Sequence, residues 1–66
     1  MIVQVNGDQR RLEAGATVAS LLASLGLASG GVAVAVDRRV IPRSEHARTL
    51  LTDGAVVEIL RAVGGG

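Results

Sequence analysis

The sequence closes on Gly64-Gly65-Gly66, a run whose chemistry lies in what it lacks. Glycine has no Cβ, so a tail of this kind is thin enough to enter a narrow active site, and no side chain shields its last carbonyl carbon from a nucleophile. The Gly66 carboxylate is therefore the first candidate for a reactive group, with Val63, Gly64 and Gly65 as the stretch that a partner would grip. Fraying or an expression scar also leaves glycine at a chain end, so the rest of the chain has to discriminate.

The rest of the chain offers no rival chemistry. His46 is the single histidine and cysteine is absent, which excludes Cys/His nucleophilic catalysis, thiolate or histidine metal cages and disulfide staples. The six carboxylates, Asp8, Glu13, Asp37, Glu45, Asp53 and Glu58, are scattered over turns and strand faces and suggest neither an acid/base pair nor an oxygen cage. Gly30-Gly31 follows a helix instead of opening one, so it is no phosphate loop. His46, shortly after Pro42, is expected at the surface or its boundary. No catalytic residue, no metal and no bound cofactor is expected: the chain reads as something acted upon.

Composition narrows the partners. Sixty-six residues make one domain, near the size at which a core can still stabilise a fold without staples. Phe, Trp and Tyr are missing and 48% of the residues are hydrophobic, so the core is aliphatic. All seven basic residues are arginine, interleaved with carboxylates for a net charge of +1, and no aromatic ring is available to stack on a base. Nucleic-acid binding is not expected. Without lysine or cysteine, an activated Gly66 could be captured within this chain by the N-terminal amine alone. No run approaches the ~18 apolar residues of a membrane span, and Met1-Ile2-Val3 lacks the basic start of a signal peptide, so a cytoplasmic protein with no membrane contact is expected.

The elements that must position the tail are legible in outline. Ile2 to Val5 and Gln9 to Glu13 flank Asn6-Gly7, a hairpin signal, with Val3 and Val5 on one face and Leu12 expected inward opposite them. Thr17 is a good N-cap, and Val18, Leu21, Leu22 and Leu25 fall on one helical stripe that Gly26 terminates. Ser29-Gly30-Gly31 breaks the chain. Val32 to Val36 reads as a strand with valines on one face and alanines on the other, turned by Asp37-Arg38-Arg39 into a short Val40-Ile41 strand that Pro42 ends. Arg43 to Thr49 reads as irregular or one helical turn, Leu50-Leu51 as apolar cover and Asp53-Gly54 as a turn. The last strand runs from Val56 to Arg61 with Val57 and Ile59 inward. A hairpin, a helix and a final strand pack economically as an α+β fold: a mixed sheet covered on one face by one helix, the last strand central and parallel to the first, which is the β-grasp arrangement. Residues 1–63 then form the β-grasp domain and residues 64–66 a flexible, reactive tail.

Taken together, these residues resemble the ThiS-type sulfur carriers of thiamin biosynthesis, ubiquitin-like proteins ending in Gly-Gly. The resemblance covers the whole chain. It rests on Asn6, on Ala14-Gly15 before Thr17-Val18, on Leu21-Leu22 and Leu25, and on Val34-Ala35-Val36 leading into Val40-Ile41-Pro42-Arg43, with Asp53-Gly54 and Gly65-Gly66 completing it. Val40-Ile41-Pro42-Arg43 and the tail are the most telling. His46 departs from the family, which often has a bulky aromatic there, and Gly64 is an extra glycine before the pair.

The resemblance implies a carrier, not an enzyme. A ThiF-like adenylating enzyme would use ATP and Mg to convert the Gly66 carboxylate to an acyl-adenylate. Sulfur from a cysteine desulfurase persulfide would then make a thiocarboxylate, and a ThiG-like thiazole synthase would receive that sulfur. Two other carriers of the same fold stand as alternatives, the small subunit of molybdopterin synthase and a ubiquitin-like protein modifier. From another class, an interaction module with an inert tail remains. Arg61, nearest the tail, is the candidate partner contact together with the exposed sheet face; the competing reading has Arg61 merely solubilising an outward strand position.

Overall fold

The computed structural model describes residues 1–28 and 30–61. The expected grip and reactive residues Val63, Gly64, Gly65 and Gly66, and with them the boundary between domain and tail, lie outside the described residues, as does Ser29. Five strands form one sheet in the order β2-β1-β5-β3-β4. The first, β1 (Ile2–Val5), alternates exposed and buried residues, and Asn6 and Gly7 turn it at φ +51 and +88 into β2 (Asp8–Arg11). Positive φ at both turn positions is what a two-residue hairpin needs to match strand twist.

In β2 the structure departs from expectation. Val3 and Val5 stand across from Arg10 and Asp8, whereas Leu12 lies one rung beyond the ladder and exchanges both backbone hydrogen bonds with Met1, at 2.8 and 2.9 Å. Leu12 still packs against the core, but beside Met1. Every residue of β2 is exposed, and its charges on the helix-facing side discourage another strand from adding to this edge.

The helix α1 (Val18–Ser24) lies over the sheet with Val18, Leu21 and Leu22 buried. Thr17 and Ser20 form a reciprocal capping box: Ser20 N–H donates to Thr17 Oγ1 at 3.1 Å and Thr17 N–H to Ser20 Oγ at 2.8 Å. The remaining free N–H groups of the first turn are taken from outside, Val18 by Thr49 O and Ala19 by His46 O, both at 3.0 Å. Seven residues are too few for a helix to be stable in water, so these external acceptors and the buried stripe hold it. Gly26, at φ +74, follows the Leu25 cap.

Two further strands, β3 (Val32–Val36) and β4 (Arg39–Ile41), join through Asp37 and Arg38, both at positive φ. Pro42 ends β4 and a 3-10 turn, Arg43–Glu45, follows. Of the Leu50-Leu51 pair, Leu51 alone is buried; Leu50 is 64% exposed because its neighbour occupies the core side. The last strand, β5 (Val56–Arg61), is central: parallel to β1 through Gln4↔Val56 and Val5↔Val57, antiparallel to β3 from Val36↔Val57 to Val32↔Arg61. The core joins Val3, Val5, Val34, Val57 and Ile59 of the sheet to Val18, Leu21 and Leu22 of the helix. This is the expected β-grasp fold.

Candidate functional site at the end of the central strand

Three side chains close the backbone of β1 and β5 where no strand is available. Asp53 Oδ1 accepts the Ile2 N–H at 2.7 Å, Asp37 Oδ1 accepts the Val56 N–H at 2.9 Å, and Asn6 serves both backbone groups of Ile59. Two of the six carboxylates are thereby committed to structure. Glu45 makes a 3.8 Å ion pair with exposed Arg48, worth little to stability in solvent. Among the described residues no group of three or more His, Cys, Asp or Glu is placed to hold a metal ion, and no helix is long and apolar enough to cross a membrane.

His46 is not at the surface. It is 8% exposed, with Nε2 3.1 Å from the carbonyl oxygen of Ile41, and its own carbonyl takes the Ala19 N–H. Its burial follows from segment 43–49 folding over the start of α1, where unsatisfied helix N–H groups need acceptors. The opposite end of α1 faces the end of β5, so His46 is not part of the site there.

That far end is where the described part of β5 stops, five residues before Gly66. Arg61 closes β5 and is exposed. Its placement corrects the outward reading: Val57 and Ile59 face the helix, period-two alternation puts Arg61 on the same side, and its ladder partner Val32 packs against the core. The helix ends before covering it. Arg61 instead lines a groove floored by Val5, Ile59, Leu25 and Leu27, with Arg10 and Asp8 along the rim. It is therefore not on the open sheet face, which carries Leu60 and Val40, 72% and 73% exposed, beside Ala33 and Ala35.

Sequence reasoning read Asn6 for its turn alone and missed its side chain. The partner lies 53 residues away, and the one available signal was an amide, both donor and acceptor, at a turn position that glycine would also satisfy.

The ThiS family profile matches residues 3–66, nearly the whole chain and through the final glycines. The chain belongs to the ThiS family. It is 29% identical over its full length, and the full length of that relative, to the sulfur carrier protein ThiS of Escherichia coli K12. The crystal structure of the thiamine biosynthesis protein ThiS from Geobacter metallireducens superposes with a TM-score of 0.84 at 32% identity, covering all of both chains. A thiazole synthase of Paramagnetospirillum magneticum matches all 66 residues at 38% identity, and this ThiS-family chain spans about a fifth of that relative's length.

Proposed function

We propose that the chain is a sulfur carrier for thiazole formation in thiamin biosynthesis, with the Gly66 carboxylate as the group that is adenylated and converted to a thiocarboxylate. The observation that carries this reading is that the family match runs through Gly66 and so takes in the final glycines. The central strand supports it, because β5 lies between β1 and β3 and ends at Arg61, five residues before Gly66.

A carboxylate is a poor electrophile until one oxygen becomes part of a good leaving group. In the proposed reaction a carboxylate oxygen of Gly66 attacks the α-phosphorus of ATP and pyrophosphate departs. The terminal sulfur of a persulfide, supplied by a cysteine desulfurase, attacks the acyl carbon and AMP leaves. A thiol then cleaves the S–S bond of the acyl disulfide and leaves the thiocarboxylate. ATP, Mg and the catalytic groups belong to the ThiF-like adenylating partner. This chain supplies the electrophile, a slim Val63-Gly64-Gly65 approach and a recognisable body.

A ThiG-like thiazole synthase is the proposed acceptor, supported by the match to a segment of a thiazole synthase. A donor and an acceptor carried on one polypeptide meet at raised effective concentration. The small subunit of molybdopterin synthase and a protein modifier share the tail chemistry, and the family match and the likeness to the Escherichia coli sulfur carrier favour the thiamin carrier over them. For docking, Leu60, Val40 and the two alanines form the apolar patch, and Arg61 sits round the corner where a partner gripping the tail would reach it. The test is ATP–pyrophosphate exchange by the cognate adenylating enzyme: the full chain should support exchange and a chain whose Gly66 carboxylate is capped as the amide should not.

A further inference from the structure

We infer that Asn6 is a positioning residue for the tail: its side-chain amide replaces the strand that β5 lacks beyond Val57 and so fixes the direction in which the chain leaves the sheet. Pairing between β1 and β5 ends at Val5↔Val57, with a last backbone bond from Asn6 N–H to Val57 O at 2.9 Å. The chain then turns away at Asn6, φ +51, into the hairpin. Ile59 is left with an N–H and a carbonyl aimed at an empty neighbour position. Asn6 fills it: Oδ1 accepts the Ile59 N–H at 2.8 Å and Nδ2 donates to Ile59 O at 3.1 Å, both partly buried. The amide orientation is dictated by the partners, since an N–H must meet Oδ1 and a carbonyl must meet Nδ2.

The location gives this pair a consequence beyond stability. After Ile59, Leu60 and Arg61 have a ladder neighbour on the β3 side alone, at Ala33 and Val32. Among the described residues Asn6 is thus the last tie on the β1 side of β5. It replaces both hydrogen bonds of a missing strand, where Asp37 and Asp53 each use one carboxylate oxygen on one N–H. An acyl carbon placed about 1 Å off in a partner's active site can lose up to about 100-fold in rate, so a tie at the root of the tail bears on turnover. The inference rests on the carrier reading, in which Gly66 must meet ATP in the adenylating enzyme.

The experiment compares the full chain with Asn6→Gly, which tolerates the left-handed turn but removes the amide, and with Asn6→Asp, which keeps the shape and the acceptor but removes the Nδ2 donor. Two readouts are needed: amide hydrogen exchange at Ile59 and Val57, and steady-state pyrophosphate exchange with the cognate adenylating enzyme. In Asn6→Gly, Ile59 should exchange at least roughly tenfold faster while Val57 holds its protection. Turnover at saturating carrier should fall about tenfold with KM within about twofold, and Asn6→Asp should shift in the same direction. Because the carrier is the substrate, partial unfolding would lower its effective concentration and raise the apparent KM, leaving kcat alone. A normal kcat in both variants, or a change confined to KM, overturns the positioning role. Silence with the unsubstituted chain is a different result: it overturns the carrier reading and the role built on it, while Ile59 exchange still reports whether Asn6 closes β5.

Discussion

His46 Nε2 donates to the carbonyl oxygen of Ile41 across 3.1 Å, and the His46 carbonyl accepts the N–H of Ala19 at 3.0 Å. A carbonyl can only accept, so the ring proton sits on Nε2. One residue thus joins the end of β4 to the start of α1. His46→Ala should open a void and remove a buried hydrogen bond to Ile41, costing about 2–4 kcal/mol in urea denaturation. A loss under about 0.5 kcal/mol, the range of ordinary surface changes, would place the ring outside the packed interior.

Arg38 holds φ +69 in the β3–β4 turn, after Asp37 at +49. A side chain with a Cβ is strained there by roughly 1–2 kcal/mol, part of which glycine returns as unfolded-state entropy. Arg38→Gly should therefore raise stability by about 0.5–1 kcal/mol, with aspartate-glycine now the favoured hairpin pair. A lower denaturation midpoint would show that Arg38 makes contacts that outweigh its strain.

Leu22 is 5% exposed and sits in the main core cluster. Leu22→Ala should cost roughly 2–5 kcal/mol, a large share of what so small a domain has. If the unfolding curve barely moved, α1 would not be the cover of the sheet.

The parts of the fold written in local spacing were legible, and the parts made by distant segments were not. Val18, Leu21 and Leu22 showed their stripe at helical period, Val57 and Ile59 their face at period two, and Asn6-Gly7 its turn. His46 was misplaced because its burial depends on segment 43–49 closing over unsatisfied N–H groups of α1, a need that appears only when the two are in contact. The Asn6 to Ile59 pair was hidden for the same reason. Arg61 differs: the alternation that puts Val57 and Ile59 inward also determines its side, which the competing reading of an outward, solubilising arginine sets aside. The helix stops short of it, so an inward-side arginine remains wet. For the candidate site, the strand that leads to the tail was legible and the groove beside it was not, because Leu25 and Leu27 at the end of α1, Arg10 of β2 and Ile59 of β5 meet there from three separate segments.

Arg61 closes β5 five residues before Gly66, with Arg10 across the groove, and among the described residues neither forms an ion pair. Arg61→Glu should weaken titrated binding to the adenylating enzyme with little change in melting temperature, and the loss should shrink as salt is raised. Unaltered affinity at low ionic strength would remove Arg61 from the interface and leave the Leu60 and Val40 face as the docking surface.

The most direct test of the central claim is the intact mass of the chain after incubation with the cognate adenylating enzyme, ATP, Mg, a cysteine desulfurase, cysteine and a thiol. The account predicts a product heavier by the difference between one sulfur and one oxygen, with fragmentation placing the change on Gly66. An unchanged mass with partners shown to be active on another carrier, or a sulfur located anywhere other than Gly66, would contradict it.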